Sequence, residues 1–260
     1  MKILCLHGRG QNALSFKADL EPIITEAQIQ SPDLSFVFAD ELTFGTSHTA
    51  DSFDSQHGSP NTSDIRQAHE WLGKKIEVDG PFDGVIAFCH GAAIVSSYLV
   101  HQQWYRPEQG TPFHFAVFFS GSIPLETLKD LGVPVEAAER IIAETKEQRQ
   151  RGLGPLPSHV SKMRRALFNS DDCFGLNLNK VPRELRLRIP TVHVWGEDDP
   201  DFPSAVQLVG LCEPYIQKIH THARAHCMPS GLEETGELSR SLLWVASRAR
   251  WPGRAQMSQE

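Results

Sequence analysis

The sequence predicts an α/β fold, a doubly wound and mostly parallel sheet with one inserted helical segment. Three observations predict it. Short, near-continuously apolar runs rich in β-branched and aromatic residues recur along the chain, as strands covered on both faces require. Between them lie longer stretches with apolar residues at helical spacing, enough chain for right-handed crossovers. A length of 260 residues, 40% of them hydrophobic, can bury one sizeable core. One domain is expected over 1–250, with a polar tail over 251–260.

In chain order, Ile3 to Leu6 reads as the first strand and about 15–29 as the first helix. Leu34 to Ala39 is the second strand. A helix over about 63–77 leads to the strand Gly84 to Phe88, and another over about 91–104 leads to Phe113 to Phe119. Pro190 to Trp195 and Gln217 to His222 complete the strands, with helices over about 204–213 and 232–249. Residues 43–62, rich in Gly, Ser, Thr, Asp and Pro, form a loop. Residues 122–189 exceed a simple crossover and contain helical stretches at VEAAERIIAETKEQRQRG and around SKMRRALF. They form either an inserted lid or a pair of surface helices that pads the sheet.

Composition excludes several functions. With 25 basic against 32 acidic residues the net charge is -7, the wrong sign for a chain that gains affinity from phosphate backbones. Nucleic acid is not an expected partner. The five cysteines form no CxxC pair, which argues against a thiolate zinc site or a disulfide framework. No apolar run reaches the roughly 18 residues of a membrane span, and Met1 to Leu6 meets glycine too soon for a signal peptide. A cytoplasmic location is expected, with no metal and no cofactor.

The first turn offers a misleading motif. His7-Gly8-Arg9-Gly10-Gln11-Asn12-Ala13 contains G-x-G-x-x-A, and Asp40 ends the second strand where a ribose-binding acid would sit. Such a short pattern arises often by chance. A glycine-bearing loop in this place equally aims a backbone N–H at a developing oxyanion.

Later residues decide. Pro81 to Ala93 is a strand running into a helix of small residues, with Cys89 at the turn. A nucleophile held on so sharp a turn needs small neighbours two positions away on either side, and Ala87 and Gly91 supply them. Cys89 stands where G-x-S-x-G has serine. A buried cysteine is more often an inert small hydrophobe, but the helix N-terminus and a nearby imidazole would activate this thiol. Acid and base should follow in that order. Asp199 lies in Gly196-Glu197-Asp198-Asp199-Pro200 after a strand, and His226 lies in a loop after the last strand. Asp198 is the neighbouring candidate acid. His222 and His226 are spaced like metal ligands on a helix, but they straddle a strand end and a third ligand is lacking.

On these residues the sequence resembles the fungal serine hydrolase family of α/β-hydrolases, which includes yeast-type serine hydrolases and polyketide-releasing thioesterases. The resemblance rests on LHGRGQNA, GPFDGVIAFCHGAA (where the family reads GPFDG followed by GFSQGA), HFAVFFSG, IPTVHVWGEDDP and HARAHCMP. It covers nearly the whole chain. The resemblance implies an α/β-hydrolase fold, a Cys89-His226-Asp199 triad, and backbone N–H groups of Arg9 and His90 at the oxyanion hole. It further implies a polyketide ester or thioester substrate, often delivered by a carrier-protein domain of a polyketide synthase.

The cysteine widens the chemistry expected. An acyl-Cys89 thioester keeps transferable acyl energy, so hydrolysis competes with acyl transfer or ring closure. A catalytically silent binding module is the reading of another class. Ile141, Ile142, Met163, Leu167 and Phe168 would wall an apolar tunnel or merely pack, and Arg164 with Arg165 would face an acidic carrier or only water.

Overall fold

Each strand sends alternate side chains to opposite faces, and the two faces carry separate apolar clusters. The computed structural model describes residues 1–40, 62–151 and 171–249. Strand β1 (Lys2–Leu6) gives Ile3 and Cys5 to one cluster and Leu4 and Leu6 to the other. In β3 (Gly84–Phe88) and β4 (Phe115–Phe119), Ile86, Phe88, Val117 and Phe119 join the first, and Val85, Ala87, Ala116 and Phe118 the second. All residues of both strands are buried, which is why they read as unbroken apolar runs.

The remaining strands are β2 (Ser35–Ala39), β5 (Thr191–Gly196) and β6 (Gln217–His222). The six lie in the order β2-β1-β3-β4-β5-β6, and every pairing is parallel. The expected mostly parallel sheet is therefore wholly parallel among the described residues. Edge strands β2 and β6 are only partly buried.

Helices α1 (Ala13–Gln30) and α7 (Leu232–Ala249) cover one face through Phe16, Leu20, Ile24, Leu238, Leu242 and Val245. Helices α2 (Thr62–Asp79), α3 (His90–Tyr105) and α6 (Phe202–Leu211) cover the other through Leu72, Val95, Leu99, Val206 and Leu208. Fully buried Phe16, Phe113, Phe115 and Phe118 contribute about 1.5–3 kcal/mol each through removal from water. Helix α6 starts two residues before its expected position because Pro203 sits in its first turn, where a missing N–H costs nothing.

The insertion contains α4 (Leu125–Asp130) and α5 (Glu136–Gln150), followed by irregular chain from 171 to β5. Gly175, at φ +83°, lies so close to α5 that a Cβ there would come within 2.5 Å of the Ala137 carbonyl oxygen. That approach seats the start of the helix. The expected helix around SKMRRALF, the tail over 251–260, and the loop over 43–62 up to residue 61 lie outside the described residues. Among the described residues no helix is long and apolar enough to cross a membrane.

Candidate active site

Chain order reverses direction between β1 and β3, so the loops leaving their carboxyl ends part and open a crevice. The loops after β1, β3, β5 and β6 all emerge at this end. Those four loops carry every site residue expected from the sequence.

Cys89 follows β3 and precedes α3, with φ 50° and ψ -110°. A non-glycine residue is strained there, and the strain is held by packing: Ala87 is fully buried and the Cys89 N–H donates to the Phe119 carbonyl at 2.9 Å. The side chain is half-buried rather than sealed. Cys5, Cys173 and Cys212 are buried instead, and burial raises their thiol pKa values, to about 12 for the latter two.

The loop after β1 packs directly on this turn. A Cβ at Gly8 would stand 2.6 Å from the Phe88 ring and 3.0 Å from the Cys89 Cβ, so only glycine lets the loop approach so closely. Arg9 follows Gly8 in this loop, and His90 opens α3 directly after Cys89. The His90 ring has its pKa lowered to about 4 by burial and by the nearby charges of Arg9 and His7.

Asp199 sits in a turn closed by its own N–H on the Gly196 carbonyl, 3.1 Å. It is completely buried. Its Oδ1 accepts from the Asp201 N–H at 2.8 Å, and its Oδ2 accepts from His226 Nδ1 at 2.8 Å. Asp198 points away, half exposed, and pairs with Arg149 at 3.1 Å. Between the two candidate acids, geometry thus favours Asp199.

The acid turn is laced to the base loop. Glu197 N–H donates to the His222 carbonyl at 2.8 Å and Asp198 N–H to the Arg224 carbonyl at 3.2 Å. His226 is brought against Phe88, the residue before Cys89, with ring centroids 5.3 Å apart. Burial disfavours the charged ring, but hydrogen bonds and negative charge from Asp199 and Cys89 outweigh it. The pKa of His226 rises from 6.5 to about 10. His226 is thereby bonded directly to Asp199, and Cys89 lies close enough to influence the charge of the ring.

Other expectations resolve by position. The Asp40 carboxylate accepts the Ala13 N–H at 2.7 Å and lies 3.7 Å from His7, while Asn12 and Ser15 form a capping box. The start of α1, where a pyrophosphate would bind, is engaged by the chain's own groups. His222 is buried and turns its Nδ1 to the Arg224 N–H. Asp199, Asp201 and His226 offer ligand atoms within 4.8 Å of one another, but Asp199 and His226 are bonded together and Asp201 pairs with Lys146 at 2.7 Å. Ile141 and Ile142 are half-buried on α5. Met163, Arg164, Arg165, Leu167 and Phe168 lie outside the described residues.

Sequence reasoning passed over Arg149 and Lys146. Charges closing a helix read as solvated.

A parallel sheet with these loops at its carboxyl end defines an α/β-hydrolase. The chain belongs to the serine hydrolase (FSH1) family, whose match spans residues 1–238. Esterase alnB of Emericella nidulans is 25% identical, covering 96% of this chain and 98% of its own. Esterase tropF of Talaromyces stipitatus is 27% identical, covering 94% and 83%. Among solved structures, the EstE5 crystal soaked with p-nitrophenyl butyrate superimposes with a TM-score of 0.50 at 16% identity, over 96% of this chain and 77% of that one. That likeness concerns the fold.

Proposed function

We propose that this protein is a cysteine-dependent acyl hydrolase, an esterase or thioesterase that works through an acyl-Cys89 intermediate. The observation that carries the proposal is the His226–Asp199 hydrogen bond, with the imidazole packed on Phe88 beside the half-buried Cys89 at a strained strand-to-helix turn.

His226 takes the thiol proton, with Asp199 holding the ring through Nδ1 and stabilising its positive charge. The sulfur attacks the acyl carbonyl, and backbone N–H groups of Arg9 and His90 receive the developing oxyanion. His226 returns the proton to the leaving alkoxide or thiolate. Water, deprotonated by the same ring, then attacks the thioester, releasing the acid and regenerating Cys89.

The acyl substrate is hydrophobic, a polyketide ester or thioester of fungal secondary metabolism, presented as a small molecule or by a carrier-protein domain in the cytoplasm. Esterase relatives from fungi support the ester class. The residue at position 89 supports a second reading, in which an amine, alcohol or carbanion intercepts the acyl thioester and the outcome is acyl transfer or cyclisation.

Intact-mass spectrometry after incubation with an activated acyl thioester tests both. An adduct on Cys89, absent in Cys89→Ala, is expected. Its discharge by water supports hydrolysis, and discharge only by an added nucleophile supports transfer. No adduct at all would leave a silent binding module.

A further inference from the structure

We infer that Arg149, assisted by Lys146, is a positioning residue for Asp199: the last turn of α5 grips the acid-bearing loop from outside and keeps Asp199 on His226. The inference rests on the reading of Asp199 and His226 as catalytic partners.

Among the described residues the loop Gly196–Asp201 is held by the base loop, by Thr221 of β6 and by α5. On its inner side, the base loop holds it through the Glu197 and Asp198 N–H groups. On its outer side lie Lys146 and Arg149, three residues apart and so on one helical face. Arg149 Nη1 donates to Asp198 Oδ1 at 3.1 Å while Nη2 donates to the Glu197 carbonyl at 3.0 Å. Lys146 Nζ meets Asp201 Oδ1 at 2.7 Å, and the Asp201 N–H is the group that donates to Asp199. The two cations therefore anchor the residues on both sides of Asp199.

The guanidinium suits this task. Its planar fork satisfies a side-chain and a main-chain acceptor together, which fixes orientation, whereas an ammonium supplies a point charge. The Arg149 side chain is only 13% exposed, against 48% for Asp198. An ion pair with a half-exposed partner adds little stability, so its removal should chiefly move the loop. Asp198 is drawn outward by the same contact, leaving its neighbour to face the imidazole.

The test compares Arg149→Met, Arg149→Lys and Asp198→Asn with the unmodified full chain. Three quantities are read: the titration of the His226 ring by nitrogen-detected NMR, kcat and KM on a p-nitrophenyl ester, and the melting temperature. In Arg149→Met the His226 titration is expected to fall from about 10 toward 6.5. Its kcat is expected to drop about tenfold or more, with KM within about twofold. Arg149→Lys should recover part of both losses, and Asp198→Asn should show a smaller loss in the same direction. A lower melting temperature with unchanged His226 titration and kcat overturns the inference. If Arg149→Met does not fold, the other two variants decide by the same readouts. If the unmodified protein cleaves no ester, the functional reading fails, while the titration still decides whether the grip exists.

Discussion

A Cβ placed on Gly196 would stand 1.9 Å from the carbonyl oxygen of Arg224, well inside any van der Waals contact. The end of β5 and the loop carrying His226 thus touch backbone to backbone, and this contact sets the distance from Asp199 to its imidazole. Gly196→Ala must push the loops apart. We expect kcat to fall on the order of a hundredfold, because displacements of about 1 Å cost that much in a positioned site. Steady-state kinetics beside a melting curve would check it, and near-normal kcat would contradict the contact.

Asp199→Asn keeps the shape of the acid but removes its charge and its preference for the N–H tautomer at Nδ1. The expected loss in kcat is about 10⁴-fold. Asp198→Asn should lose far less, since that carboxylate faces Arg149. Equal losses would mean that the two acids have been assigned wrongly.

The raised pKa of His226 makes a signed prediction about stability. Because the folded-state value of about 10 lies above the ordinary 6.5, charging this ring favours the folded state. That contribution is complete below 6.5 and disappears as the pH climbs through about 10. Denaturant titrations of the unmodified protein and His226→Gln should therefore differ most at the acidic end and converge at the alkaline end. A gap widening with pH would reverse the sign and refute it.

Gly8→Val would drive side-chain atoms into Phe88 and Cys89, where even a Cβ lies at 2.6 and 3.0 Å. The loop bearing the Arg9 N–H would have to lift. Loss of one oxyanion donor costs about 10²–10³ in kcat, and the overpacking about 1–3 kcal/mol of stability. Acyl-adduct formation measured by mass should slow correspondingly, whereas an unchanged rate would free Arg9 from the role proposed.

Much of this was legible in the sequence, for identifiable reasons. Buried parallel strands leave unbroken apolar runs, so all six were located to within two residues of their observed starts and ends. The elbow was legible because Cys89 requires small neighbours on both sides. Asp199 stood out only by its spacing from Gly196. What excludes Asp198, the fork of Arg149 from another element, was not readable, since the end of α5 looks like an ordinary charged helix terminus. His69 shows the same limit. Its Nε2 lies 2.8 Å from Ser97 Oγ, which in turn lies 2.7 Å from Thr127 Oγ1. That chain links three helices through partners separated by about 30 positions, and no local pattern announces it.

The central claim is that the Cys89 sulfur is activated by His226. Iodoacetamide labelling at neutral pH, followed by peptide mapping to separate Cys89 from Cys227, tests it most directly. Cys89 should react at least about tenfold faster in the unmodified protein than in His226→Gln, with Cys227 unaffected. Equal rates at Cys89 in the two proteins would show an ordinary thiol and contradict the account.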